Sequence, residues 1–128
     1  MWRNTALAAC SSLRRMYLSE HDVVQPDVFF VSNANLSILA DDGAHGPPDL
    51  VVEVLSPHTA SLEKTKLRVY ARHGVKEQWL VDPLLRQIHV YEFQRNPAKA
   101  TQLVDETESF ATELLPGLAI QAEDVLRR

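Results

Sequence analysis

Residues 47–57 read Pro47-Pro48-Asp49-Leu50-Val51-Val52-Glu53-Val54-Leu55-Ser56-Pro57, an apolar run with one acid inside it and prolines at both ends. A short, β-branched run between turn signals reads as a strand buried on both faces. Strand period two puts Val51, Glu53 and Leu55 on one face, and Leu50, Val52 and Val54 on the other. A carboxylate between Val and Leu side chains is costly there unless it finds a cation or hydrogen-bond donors. Glu53 is therefore half of a structural ion pair, a protonated buried acid, or part of a metal or catalytic site.

Upstream, Val23 to Val31 (Val-Val-Gln-Pro-Asp-Val-Phe-Phe-Val) reads as a second strand. Pro26 cannot donate to a ladder, so the strand is expected to begin near Asp27. Residues 32–48, rich in Asn, Asp, Gly and Pro, read as a long loop, and loops of that length are usually functional or mobile. Residues 1–18 are the least organised part, with a weakly supported helix over Ala6 to Met16. Downstream, a helix is expected over Ala60 to His73, capped by Thr59 or Ser61 and ended by Gly74. Strands follow at Glu77 to Asp82 and Gln87 to Phe93, joined as a hairpin. An edge strand at Thr101 to Val104, a turn near Pro116-Gly117 and a last helical turn complete the chain. The order β-β-α-β-β predicts a single α/β (α+β) domain over residues 1–128, a mixed sheet with helices packed on it.

Composition narrows the function classes. The chain has 128 residues, 45% hydrophobic and 23% charged, as expected of one globular domain with its own core. No apolar run approaches a membrane span, so no membrane partner is expected. The single cysteine, Cys10, excludes an intramolecular disulfide and suits a cytoplasmic location. The segment Leu7-Ala8-Ala9-Cys10 lacks the apolar core that a secretory signal needs ahead of such a site. A net charge of −4 gives no global drive toward nucleic acid, so any phosphate-binding surface must be local.

On a helical wheel with Leu62 at zero, Val69 falls at about 340°, Tyr70 at about 80° and Leu67 at about 140°. This arc is expected to face the sheet, and Lys66, at about 40°, lies inside it. Either the lysine snorkels to water over an apolar surface, or it is aimed at a carboxylate on the adjoining strand. The unexplained Glu53 favours the second reading. Lys64, Arg68 and Arg72 form a separate stripe at i, i+4 spacing, with Lys76 beyond the helix end. A solvated basic face is the preferred reading, and contact with a DNA backbone the other.

Asp49 and Glu53 share a face but lie about 13 Å apart along one strand, too far to hold one ion. Asp27 is the natural second acid if its strand pairs with that of Glu53, and Gln25 has the same parity. Two carboxylates with a backbone carbonyl and waters suit Mg²⁺. Asp27 after Pro26, and Asp49 after two prolines, also have plain readings as turn residues. His21, His45, His58, His73 and His89 are scattered, with no zinc-type spacing.

Together, Val24-Gln25-Pro26-Asp27, Pro48 to Pro57, Lys66 four before Tyr70, and Gly74-Val75-Lys76-Glu77-Gln78-Trp79-Leu80-Val81-Asp82-Pro83 resemble the Uma-type restriction endonucleases of the PD-(D/E)XK nuclease superfamily. The resemblance covers roughly residues 18–126. It implies a restriction-endonuclease-like core and an endonuclease that uses Mg²⁺, or Mn²⁺, on DNA. By the same resemblance Asp27, Glu53 and the Val54 carbonyl would hold the metal. Lys66 would be the catalytic lysine, because Leu55 fills that residue's usual slot. Asp49 and Gln25 would be additional site residues, with Lys64, Arg68 and Arg72 toward the DNA backbone. The chain departs from the family in three places. It lacks the longer N-terminal region with its Glu-Leu-Ile-Asp-Gly-like strand, which implies a shortened member with an open sheet edge. The family's acid early in the helix is replaced by Leu62, with Glu63 beside it, and Gln78 replaces a common aromatic. A homodimer, or an inactive remnant serving as a binding module, is the competing expectation.

Overall fold

The computed structural model describes residues 7–10, 15–58 and 60–126. In chain order it contains β1 (Leu7–Cys10), β2 (Arg15–Tyr17), β3 (Val23–Val24), β4 (Val28–Ser32), a 3-10 segment (Asn33–Ile38), β5 (Leu39–Ala40), β6 (Gly43–His45) and β7 (Leu50–Val54). Then come α1 (Ala60–Arg72), β8 (Glu77–Asp82), β9 (Gln87–Glu92), β10 (Gln102–Asp105), β11 (Ser109–Phe110), β12 (Ile120–Gln121) and α2 (Ala122–Leu126).

The apolar run around Glu53 is β7, an interior strand of a six-stranded sheet ordered β1-β4-β7-β8-β9-β10. β7 and β8 pair in parallel. A parallel pair needs a crossover connection, and α1 supplies it. β4 runs antiparallel to β7, and β8–β9 is the expected hairpin. A four-stranded sheet (β3-β2-β6-β5) and the β11–β12 pair complete a mixed α+β architecture.

Alternation along β7 divides the core between the two faces of the sheet. Leu50 packs with Trp79, Val81, Ile88 and Val90 on one side, where Val52 and Val54 join them. Val51 packs with Phe29, Val31, Tyr70 and Val75 on the other, beneath α1. Gly74, with φ at 92°, follows the last turn of α1 and lets the chain leave the helix. The capping expected of Thr59 and Ser61 lies outside the described side chains.

Three expectations change. Leu7–Cys10 and Arg15–Tyr17 are strands, not parts of a helix. Residues 32–48 hold the 3-10 segment, β5 and β6 in place of a continuous loop. The strand expected to begin near Asp27 is β4, from Val28, and the residues before it, Val23–Val24, form a separate strand, β3, in the smaller sheet. These pieces are two to six residues long, too short for a sequence period to declare them, so pairing with distant segments decides the state of the strands. The edge of β4 is also closed, because β1 pairs with it through Ala9↔Phe30. Among the described residues, no helix is long and apolar enough to cross a membrane.

Candidate active site

The register of β4 on β7 matches Val28 with Val52, which carries Asp27 to the strand position beside Glu53. The two acids are tied reciprocally. The Asp27 N–H donates to Glu53 Oε1 at 3.1 Å, and the Val54 N–H donates to Asp27 Oδ2 at 2.7 Å. Glu53 is completely buried. Its other oxygen, Oε2, accepts from the Tyr70 hydroxyl at 2.5 Å and lies 3.1 Å from Lys66 Nζ. Tyr70 and Lys66 sit one helical turn apart on α1, so a single face of the helix supplies both donors. The Gln25 carbonyl is 3.4 Å from Lys66 Nζ, which brings that residue to the site through its backbone. Lys66 thus meets Glu53 through its side chain, and Asp27 meets Glu53 through its backbone N–H.

The helix is rotated from the expected wheel. Leu62, assigned to the inner arc, is 52% exposed, whereas Glu63 is only 5% exposed. Glu63 Oε1 lies 4.0 Å from Lys66 Nζ and has no hydrogen-bond donor. The buried stripe of α1 is therefore Glu63, Lys66, Leu67 and Tyr70. Sequence reasoning noticed Glu63 only as a neighbour of Leu62, because a glutamate in a first helical turn ordinarily reads as solvated. Its i, i+3 relation to an inward lysine was the available signal.

These acids do not behave as surface carboxylates. Burial pushes Glu53 above its ordinary range, against the opposing pull of the Tyr70 hydroxyl and the Lys66 charge. Glu63 is pushed up to about 7 by burial, then by the charge of Glu53, with Lys66 opposing. Tyr70 is raised as well, by burial and the adjacent Glu53 charge, so it remains a phenol and a donor.

The other expected residues lie apart from this cluster. Asp49 is buried against the start of the 3-10 segment. It accepts the Ser32 N–H at 2.6 Å and the Asn35 amide at 3.0 Å, and pairs with Lys76 at 3.2 Å. Burial alone would raise Asp49, but these donors hold it below its usual value. Its contacts are those of a loop anchor. The four basic residues Lys64, Arg68, Arg72 and Lys76 are all exposed; Arg72 pairs with Asp22 at 3.0 Å and Lys76 with Asp49 at 3.2 Å. His45 makes a local pair with Asp42, and His73 a long-range one with Asp22. Among the described residues, no group of three or more His, Cys, Asp or Glu side chains is gathered to hold a metal.

The donor chemistry nonetheless suits a hard divalent cation. Mg²⁺ is commonly held by one or two carboxylates and keeps several waters, and Asp27 and Glu53 are the residues here that could hold one. The orphaned Oε1 of Glu63 lies beside the same lysine, a buried acceptor that the protein leaves unsatisfied.

Comparison with known proteins agrees with this architecture. A structure described as a "putative nuclease belonging to DUF820" from Anabaena variabilis superposes with a TM-score of 0.71 at 21% identity, covering 94% of this chain and 68% of that one. At that identity the likeness is one of fold. A search of curated proteins finds no match. The profile of the Uma2 family, described as "Putative restriction endonuclease", matches residues 2–123. With residues 2–123 matched by this profile, nearly the whole length, the chain belongs to the Uma2 family.

Proposed function

We propose that this chain is a metal-dependent endonuclease that hydrolyses DNA phosphodiester bonds, with Asp27, Glu53 and Lys66 as its working groups. The observation that carries the reading is the 3.1 Å approach of a helix lysine to a fully buried strand glutamate whose neighbour across the sheet is an aspartate. In this reading Asp27 and Glu53, with the Val54 carbonyl, hold Mg²⁺ or Mn²⁺. The bound ion supplies Lewis-acid stabilisation of the phosphate and a lowered pKa for water. Tyr70 fixes the Glu53 carboxylate in place. Lys66 presents positive charge where charge develops on the phosphate oxygens. Lys64 and Arg68, outside the acid cluster, are available for the DNA backbone, a contact that would weaken with salt.

Mg²⁺-dependent nicking of supercoiled plasmid tests the reading. Glu53→Ala and Lys66→Ala should each lower the rate by about 100-fold or more. Nicking that both variants leave unchanged would remove these residues from the mechanism.

A second reading makes Glu53–Lys66 a structural ion pair in a chain that has lost its chemistry, and that serves as a binding module or homodimer. It is favoured by the fact that both Glu53 oxygens already have donors. It predicts no Mn²⁺ uptake. It also predicts that replacing both residues by apolar ones leaves stability intact or raised.

A further inference from the structure

Lys66 sits on the Glu53 carboxylate that the proposed function gives to a divalent cation. Glu53 Oε1 is taken by the Asp27 N–H, and Oε2 by the Tyr70 hydroxyl and the Lys66 ammonium. A dication brought to the same carboxylate would stand close to the ammonium, and their Coulomb repulsion disfavours holding both there. Withdrawal of Lys66 from Glu53 would relieve that repulsion.

The lysine has a second seat. Glu63 Oε1 is 4.0 Å from Nζ and lacks any donor, although Glu63 is 5% exposed. A buried carboxylate oxygen without a donor is costly and calls for an explanation. Glu63 and Lys66 share one helix face, so a rotamer change moves the ammonium between the two acids without moving the backbone. Resting on the metal-dependent reading above, we propose that Glu63 is a positioning residue that takes over Lys66 from Glu53 when a divalent cation binds, keeping the ammonium inside the site. The lysine is a built-in competitor for the cation seat, and Glu63 makes its displacement favourable.

The test is Mn²⁺ binding by calorimetry at fixed pH on wild type, Glu63→Gln, Lys66→Met and the double variant. Glu63→Gln should weaken Mn²⁺ about tenfold in the presence of Lys66, and much less in the Lys66→Met background, where no ammonium needs a seat. Lys66→Met alone should tighten binding. Equal losses from Glu63→Gln in both backgrounds would make Glu63 a direct ligand or a general charge, and would overturn the proposal. A measurement on unmodified protein guards against variants that fail to fold. On Mg²⁺ titration, the NMR resonance of the Lys66 ammonium should shift as it changes partner. A resonance unmoved at Mg²⁺ saturation also overturns the proposal. Absence of Mn²⁺ uptake by wild type would sink the metal-dependent reading together with it, whereas uptake without coupling to Lys66 sinks this inference alone.

Discussion

Glu53 and Gln78 are both completely buried polar residues on adjacent strands, and their circumstances are opposite. Glu53 has donors on both oxygens, whereas neither amide atom of Gln78 has a partner. In the ladder Gln78 lies between Val51 and Tyr91, a largely apolar setting. Burying an unpaired amide costs about 1–3 kcal/mol by mutational measures. Gln78→Met, of similar length, should therefore raise unfolding stability by about 1 kcal/mol in urea titrations. A loss of that size would instead reveal a hydrogen-bond partner for the amide. Sequence reasoning noted Gln78 only as a replacement for an aromatic, since nothing in its neighbours declares that its hydrogen bonds go unmade. Glu53 and Lys66 were legible for the converse reason. Each is a charged residue inside an apolar pattern, and a misplaced charge requires a partner. Glu63 was passed over although its wheel position, about 100°, falls inside the inner arc between Tyr70 and Leu67, because a glutamate in a first helical turn ordinarily reads as solvated.

At the scale of elements, the long periodic segments were readable and the short ones were not. β7, α1, β8 and β9 carry their own alternation or helical period, and their observed limits differ from the expected ones by a residue or so. β2 and β6 are three residues each and form through one another, pairing in parallel with Arg15 opposite Gly43. That pairing depends on a missing side chain. A Cβ at Gly43 would lie 2.1 Å from the Arg15 carbonyl oxygen, and Gly43 has φ at 138°. No local property of a Gly-Ala-His tripeptide announces this, because the constraint comes from a strand about 28 residues earlier, and parallel pairing needs such a long connection. Gly43→Ala should destabilise the protein by about 3 kcal/mol or more, combining backbone strain with separation of the two strands. Gly117, at φ 79° with open space around its would-be Cβ, is the control. Alanine there should cost only the left-handed backbone penalty, about 1–2 kcal/mol. Denaturation midpoints of the two variants measure the difference, and equal losses would show that the β2–β6 approach is not so close in solution.

Across the whole molecule, the buried acids set how stability answers to pH. Glu63 has a folded pKa of about 7 against 4.5 for the free side chain. Between those values the native chain holds a proton that the unfolded chain has released, so raising the pH drains stability. For Glu63 the loss between pH 4.5 and 7 is at most about 3 kcal/mol. Glu53 and Glu77 are raised by burial and act in the same direction. Asp49, lowered by its donors, acts in the opposite direction, and its contribution is lost only as pH falls through its depressed pKa, below 3.8. The metal-free protein should therefore be most stable near pH 5, more acidic than the usual plateau, and weaken toward pH 8. Glu63→Gln removes one titrating group while preserving the shape of the side chain, so its stability should fall less steeply over the same range. Urea midpoints collected from pH 4 to 8 in the presence of a chelator give both slopes. A wild-type profile that is flat from pH 5 to 8, or a variant profile parallel to it, would mean that Glu63 already gives up its proton near its ordinary value. In that case its orphaned oxygen would have to be reached by solvent.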